Sequence, residues 1–292
     1  MRKLISKFGI LYAIFCFIIV IIGGLFFAIS FRGTGQATAD HNLNSNQYLE
    51  GVYSGAPVDG NTNGLIATPN LDIVELTQQT DALMPILMYH HIRNYEDTSD
   101  KLGINLSVSP QKFIDQLEYI QSKGYTTTNF LELSRGNIPE KPIILTFDDG
   151  YHNFFDSAYP EIKKRNMTAV VFIITGKIGK DLYLDSAKIT EMSDNGIEIG
   201  SHTISHPDLT KSKNAILELN ESKFTLENLT KNQVVSFCYP SGKFLEETKL
   251  LAMKAGYLYA TTTKIDIANF SDPYVLSRYR MNNDTNIKIY IK

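Results

Sequence analysis

The chain has 292 residues, 43% hydrophobic and 20% charged, with 28 Lys plus Arg against 31 Asp plus Glu. This mixture suits one substantial globular domain and excludes disorder throughout; with no basic excess, nucleic acid is not an expected partner. Only 2 cysteines occur, and Cys16 lies in an apolar run, so a disulfide framework and Cys-rich zinc sites are excluded.

Phe8 to Phe31 carries no charged residue and follows Arg2, Lys3 and Lys7. A run of this length crosses a hydrocarbon core about 30 Å thick, and the basic residues set the N-terminus on the cytoplasmic side. Residues 1–31 are therefore expected to be a cytoplasmic tip and a transmembrane anchor, making the chain a single-pass protein of the cell membrane with the remainder outside. Ala37-Thr38-Ala39 keeps a second reading open, secretion after cleavage near Ala39. Residues 32–83, rich in Asn, Gly, Thr and Ser up to about Asn70, read as a flexible extracellular linker, with a short helix over Leu71–Leu83.

From Met84 to Lys292 apolar runs alternate with amphipathic stretches. Strands are predicted at Pro85–Tyr89, Tyr125–Thr128, Ile143–Phe147, Ala169–Ile174, Ile197–Gly200, Val234–Tyr239, Tyr259–Thr262 and Leu276–Arg280. Helices are predicted between them, one opening with Ser109 as N-cap and Pro110 at the first helical position and closing at Gly124. Others are expected over Asn153–Asn166, Asp185–Asn195, Ser212–Thr230 and Leu245–Ala255. The alternation predicts an α/β fold with parallel strands joined by right-handed crossovers, its chemistry at the carboxyl ends of the strands. The tail Thr285–Lys292 alternates like an edge strand.

Two strand ends carry chemistry. Ile143–Phe147 runs straight into Asp148-Asp149-Gly150, two carboxylates that point apart on a strand unless the glycine permits a turn that lets them converge. Ile197–Ile199 leads to Gly200-Ser201-His202-Thr203-Ile204-Ser205-His206, two imidazoles that face one way if the segment makes a helical turn. One carboxylate and two imidazoles supply three ligands to a borderline metal such as zinc and leave a position for water. A surface Asp-Asp-Gly turn and solvated histidines are the plainer readings of each motif alone; their joint occurrence at strand ends favours the metal site.

Thr146-Phe147-Asp148-Asp149-Gly150 followed by His202-Thr203-Ile204-Ser205-His206 resembles the polysaccharide deacetylase family, the NodB-homology domain of carbohydrate esterase family 4. The resemblance spans Met84 to Arg280 and implies an irregular (β/α) barrel, here following one N-terminal transmembrane helix, with residues 84–292 as the catalytic domain. It implies that Asp149, His202 and His206 bind a divalent metal, most often Zn2+, and that Asp148 is the general base. Phe237-Cys238-Tyr239-Pro240-Ser241-Gly242 occupies the place of the family's Arg-x-Pro-Tyr motif, which makes the Ser241 N–H the oxyanion donor. A plain turn closing the strand is the other reading of Pro240-Ser241-Gly242.

Two departures from the family pattern stand out. Cys238 replaces the arginine that holds the base, with Arg278 as a candidate substitute. No histidine follows His206, whereas Tyr89-His90-His91 stands upstream, as in the biofilm poly-N-acetylglucosamine deacetylase branch. That likeness implies His90 as the acid, and period-2 alternation lets only one of His90 and His91 face the site. Tyr239, Tyr151 and Arg278 are candidate substrate contacts. The expected function is removal of acetyl groups from N-acetylhexosamine residues of an extracellular or cell-wall polysaccharide. The rivals are an O-acetyl polysaccharide esterase and a non-catalytic glycan-binding protein on the same fold.

Overall fold

Residues 83–292 are described by a computed structural model; the anchor and linker expected upstream, and the helix expected over 71–83 save Leu83, lie outside them. Among the described residues no helix is long and apolar enough to cross a membrane.

The chain begins with β1 (Leu83–Met84), β2 (Ile86–Tyr89) and β3 (His91–Ile92), then α1 (Lys101–Leu106), β4 (Ser107–Val108) and α2 (Pro110–Ser122). Next come β5 (Thr126–Thr128), α3 (Phe130–Ser134), β6 (Pro142–Phe147), a π turn at Phe154–Ala158 and α4 (Tyr159–Lys164). The alternation continues through β7 (Val170–Ile173), α5 (Ser186–Asp194), β8 (Glu198–Ser201), α6 (Ala215–Thr230) and β9 (Ser236–Cys238). It ends with α7 (Glu246–Lys254), β10 (Tyr259–Thr261), β11 (Ala268–Asn269) and β12 (Tyr279–Arg280).

One curled parallel sheet organises these elements, in the order β10-β9-β8-β7-β6-β2-β12, with β5 also paired to β6. Successive side chains on a strand face opposite ways. Leu87, Tyr89, Leu145, Phe147, Val171 and Phe237 pack outward under the helices, among Phe113, Leu117, Ile162 and Leu219. Ile86, Ile144, Val170, Phe172 and Leu276 face inward and form a second core inside the curl. The inward rows of β2, β6 and β8 lead, just past or at the carboxyl ends of the strands, to His90, Asp148 and His202.

The two ends of the sheet share one segment. Leu276 exchanges hydrogen bonds with β10, its N–H donating to the Ala260 oxygen (2.9 Å) and its oxygen accepting from the Thr262 N–H (2.8 Å). Three residues later Tyr279 and Arg280 lie in register with Leu87 and Met88 on β2. The chain from Leu276 to Arg280 therefore bridges both edges of the curl, and it carries Arg278 between them. The α/β parallel architecture expected from the alternation is the one observed.

Helix ends follow their local chemistry. The Ser109 side chain accepts from the Lys112 N–H, Pro110 starts α2, and Asp185 caps α5 by accepting from the Lys188 N–H; each cap is worth about 1 kcal/mol. The helix expected over Asn153–Asn166 divides into the π turn and α4, and ends at Asn166 in the left-handed region (φ 53). The C-terminal tail is not an edge strand. It makes a 3-10 turn at Ile287–Ile289. Ile287 and Ile291 are buried while Ile289 is exposed, a four-residue spacing that suits a turn and not a strand.

Candidate active site

Asp148 follows β6 on the inward face, buried at 3% exposure. Its backbone N–H donates to the Tyr89 oxygen (2.9 Å), which ties the end of β6 to β2. Asp149 and Gly150 then both take positive φ (74 and 77). A Cβ on Gly150 would meet the Ile173 side chain at 2.9 Å, so the position is held by both conformation and close approach. This double left-handed step turns Asp149 back over the strand end, and the neighbouring carboxylates come to one site.

His202 and His206 reach the same point without a helical turn, contrary to the expectation for an i, i+4 pair. Thr203 and His206 both have positive φ (68 and 61), so the segment is a tight loop. His202 is buried, and its Nδ1 donates to the Cys238 carbonyl oxygen (2.7 Å), which turns Nε2 toward Asp149. The His202 Nε2 lies 3.4 Å from the Asp149 Oδ1, and the His206 Nε2 lies 3.9 Å from it. Ligand atoms of a tetrahedral zinc with bonds of about 2.0–2.1 Å sit about 3.3 Å apart, so these three atoms fit a shared ion. The carbonyl on Nδ1 is the outer partner that fixes a metal-binding imidazole.

A second set, Asp148, His202 and Cys238, also draws its ligand atoms within 4.8 Å of one another. Its members are already committed. Asp148 is held by Arg278 and the Nδ1 of His202 by the Cys238 carbonyl, so the ion fits the Asp149 set.

Arg278 is fully buried inside the curl. Its Nη1 donates to the Asp148 Oδ1 (2.7 Å) and its Nη2 to the Asp148 Oδ2 (2.8 Å), a bidentate pair. Nε donates to the Thr262 oxygen and Nη1 also to the Thr146 hydroxyl. Burial alone would raise the Asp148 carboxyl, but the Arg278 charge and hydrogen bonds outweigh it and hold the group well below the usual carboxylate range. Cys238, in the place of the family arginine, lies 3.2 Å from the same guanidinium through its sulfur. The arginine thus arrives from the other side of the sheet, on the seam. Because Arg278 is enclosed, the expectation that it touches substrate is corrected: it holds Asp148.

Tyr239 needs the same correction. It is fully buried on the outward face, its ring against Phe237 and Phe244 (5.0 and 5.3 Å), so it is core and no sugar reaches it. Tyr151 is half-buried beside Asp149, stacked on His91 (3.8 Å) and on Tyr183 (5.1 Å). Ser241 sits after β9 in a turn at Pro240–Gly242, with φ 56.

His90 and His91 part as alternation requires. The His90 Nε2 lies 3.8 Å from the Asp148 Oδ2. Burial pushes the His90 imidazole down, and the nearby Asp148 charge opposes it. His91 turns away, its Nδ1 accepting from the Asn153 amide (2.9 Å), and burial pushes it down to about 4.

One positioning residue was not singled out in the sequence. Glu218, on α6, accepts from the backbone N–H groups of Ile204 (2.8 Å) and Ser205 (2.9 Å) and from the Ser205 hydroxyl (2.6 Å). It holds the loop between the two histidines. Nothing in its own amphipathic stretch marks it out, because its partners are backbone groups.

A family model described as polysaccharide deacetylase matches residues 135–260. A Bacillus subtilis protein assigned to the polysaccharide deacetylases, YxkH, is 34% identical over 209 residues, covering 69% of this chain and 72% of its own. The poly-beta-1,6-N-acetyl-D-glucosamine N-deacetylase of Staphylococcus aureus is 28% identical over 220 residues, 65% of this chain and 76% of that one. Among solved structures, the Streptococcus pyogenes deacetylase PplD in complex with acetate superposes with a TM-score of 0.67 at 29% identity. The match covers 73% of this chain and 100% of that one.

Proposed function

Since the chain belongs to the polysaccharide deacetylase family, we propose that it hydrolyses the acetamide of N-acetylhexosamine residues in an extracellular or cell-wall polysaccharide. The observation that carries this reading is the clustering of Asp149, His202 and His206 beside a carboxylate kept ionised by Arg278.

In this reading Asp149, His202 and His206 hold a divalent ion, most often zinc, which supplies Lewis acidity toward the acetyl carbonyl and a water. Asp148, ionised at neutral pH, accepts the proton of the attacking water. His90 gives a proton to the amine nitrogen as the C–N bond breaks, leaving acetate and a free amine. The Asp148 Oδ2 and the His90 Nε2 stand 3.8 Å apart, beyond a direct hydrogen bond, so the proton taken by the carboxyl returns to the imidazole by way of a water or the substrate between them. The N–H of Ser241 donates to the oxygen that gains negative charge, and Tyr151 lies against the sugar. Residues 8–31 anchor the chain in the cell membrane, residues 32–83 tether it, and residues 84–292 catalyse outside the cell.

The test is acetate release by the full-length protein from matched amide-linked and ester-linked acetylated glycans, with zinc and with a chelator. Release from the amide only, and only with metal, is the expected result. Release from the ester alone assigns the site to O-acetyl groups instead, and no release from either overturns the reading.

A further inference from the structure

Arg280 stands beside the site and has no part in the chemistry above. It is in register with Met88 on β2, and His90, directly after β2, follows Met88 on the same inward face. That register sets it at the carboxyl end of the sheet, where β2 and β6 deliver His90 and Asp148. It is half-buried with its donors open to solvent, and among the described residues no carboxylate lies within ion-pair distance of it and no acceptor takes its side-chain N–H groups. Arg278, two residues earlier on the same face, spends its donors on Asp148, Thr146 and Thr262.

The charge count around the acetyl position isolates this residue. Asp148 and Arg278 cancel. A divalent ion on Asp149 leaves one positive charge, which suits the single negative charge that develops on the carbonyl oxygen. Arg280 adds a second, which a neutral hexosamine does not answer. The Arg280 donors are open to solvent and bound to no protein acceptor, so they are free to take an oxyanion, which a guanidinium receives with two charge-assisted hydrogen bonds.

We propose that Arg280 is a specificity-determining residue that receives an oxyanion, a carboxylate or a phosphate, carried by the glycan beside the acetamide to be hydrolysed. The proposal deepens the deacetylase reading and rests on it for the position of the acetamide: the preferred substrate is an acidic hexosamine polymer, not a neutral one.

The experiment compares probes that differ by one charged group, using the full-length, metal-free protein in detergent. The disaccharide of N-acetylglucosamine and N-acetylmuramic acid is set against chitobiose for a carboxylate. N-acetylglucosamine 6-phosphate is set against N-acetylglucosamine for a phosphate. One anionic probe is expected to bind about tenfold tighter than its neutral match, the equivalent of one charge-assisted hydrogen bond. That preference disappears in Arg280→Gln, returns in part in Arg280→Lys, and shrinks as salt rises. Equal affinity for both members of both pairs overturns the proposal, as does a preference that Arg280→Gln leaves intact. If Arg280→Gln fails to fold, the salt dependence of the wild type and the Arg280→Lys affinity decide by the same criteria. With zinc, the anionic-to-neutral ratio of kcat/KM is expected to fall about tenfold in Arg280→Gln, and an unchanged ratio overturns the assignment. A preference in binding with no acetate released from any probe sinks the deacetylase reading and leaves the Arg280 assignment standing.

Discussion

At Asp148, burial and a guanidinium pull in opposite directions, and the guanidinium prevails. Asp148→Asn is therefore expected to keep zinc bound but lower deacetylation about 10²–10⁴-fold, measured as kcat beside a zinc titration. Arg278→Ala leaves that carboxylate buried and unpaired and is expected to cost about 3–5 kcal/mol in urea unfolding. Arg278→Lys keeps the charge but not the fork, and is expected to recover part of the stability and little of the turnover. The groups at this end of the sheet were readable because they follow apolar strands directly. The partner of Asp148 was harder to read, since it lies 130 residues away along the chain and only the curl brings it near. Tyr239 was misread although its place was implicit: if Cys238 faces inward toward Asp148, its neighbour must face the helices.

The loop from His202 to His206 is an element without regular structure, and its shape comes from contacts made by others. Glu218 binds two of its N–H groups, the Thr203 hydroxyl accepts from the His206 N–H (2.9 Å), and the Gly176 N–H donates to the Ile204 oxygen (2.8 Å). Glu218→Ala is expected to weaken zinc binding about 10–100-fold while Glu218→Gln loses less, read by competition with a chromophoric chelator. Strands such as Ile143–Phe147 were legible because both faces are buried and the run is apolar throughout. The loop was not, because its two positive φ values belong to Thr203 and His206, residue types that do not signal a turn. The tail was misread for a related reason: Ile287, Ile289 and Ile291 alternate in sequence, yet only the first and last find a buried surface.

For the molecule as a whole, the inward face carries a second buried acid far from the chemistry. Glu198, at the start of β8, accepts from the Ser236 hydroxyl and from the Leu131 N–H, and burial pushes its carboxyl up to about 7. The folded state thus holds this proton more tightly than the unfolded chain does, whose value is near 4.5. The resulting stability is complete below about pH 4.5 and is lost as pH rises through about 7, a difference of about 3 kcal/mol. Urea unfolding of the metal-free protein is expected to show that fall between pH 5 and pH 8, and Glu198→Gln is expected to remove most of it. An identical slope in the variant would mean that Glu198 does not titrate in this range.

The seam from Leu276 to Arg280 also imposes an order of events during synthesis. Asp149, His202 and His206 leave the ribosome well before Arg278 does, so Asp148 lacks its guanidinium until nearly the whole chain has been made. The buried carboxylate is thus the last group of the cluster to find its partner, and the two edges of the sheet stay unjoined until it does.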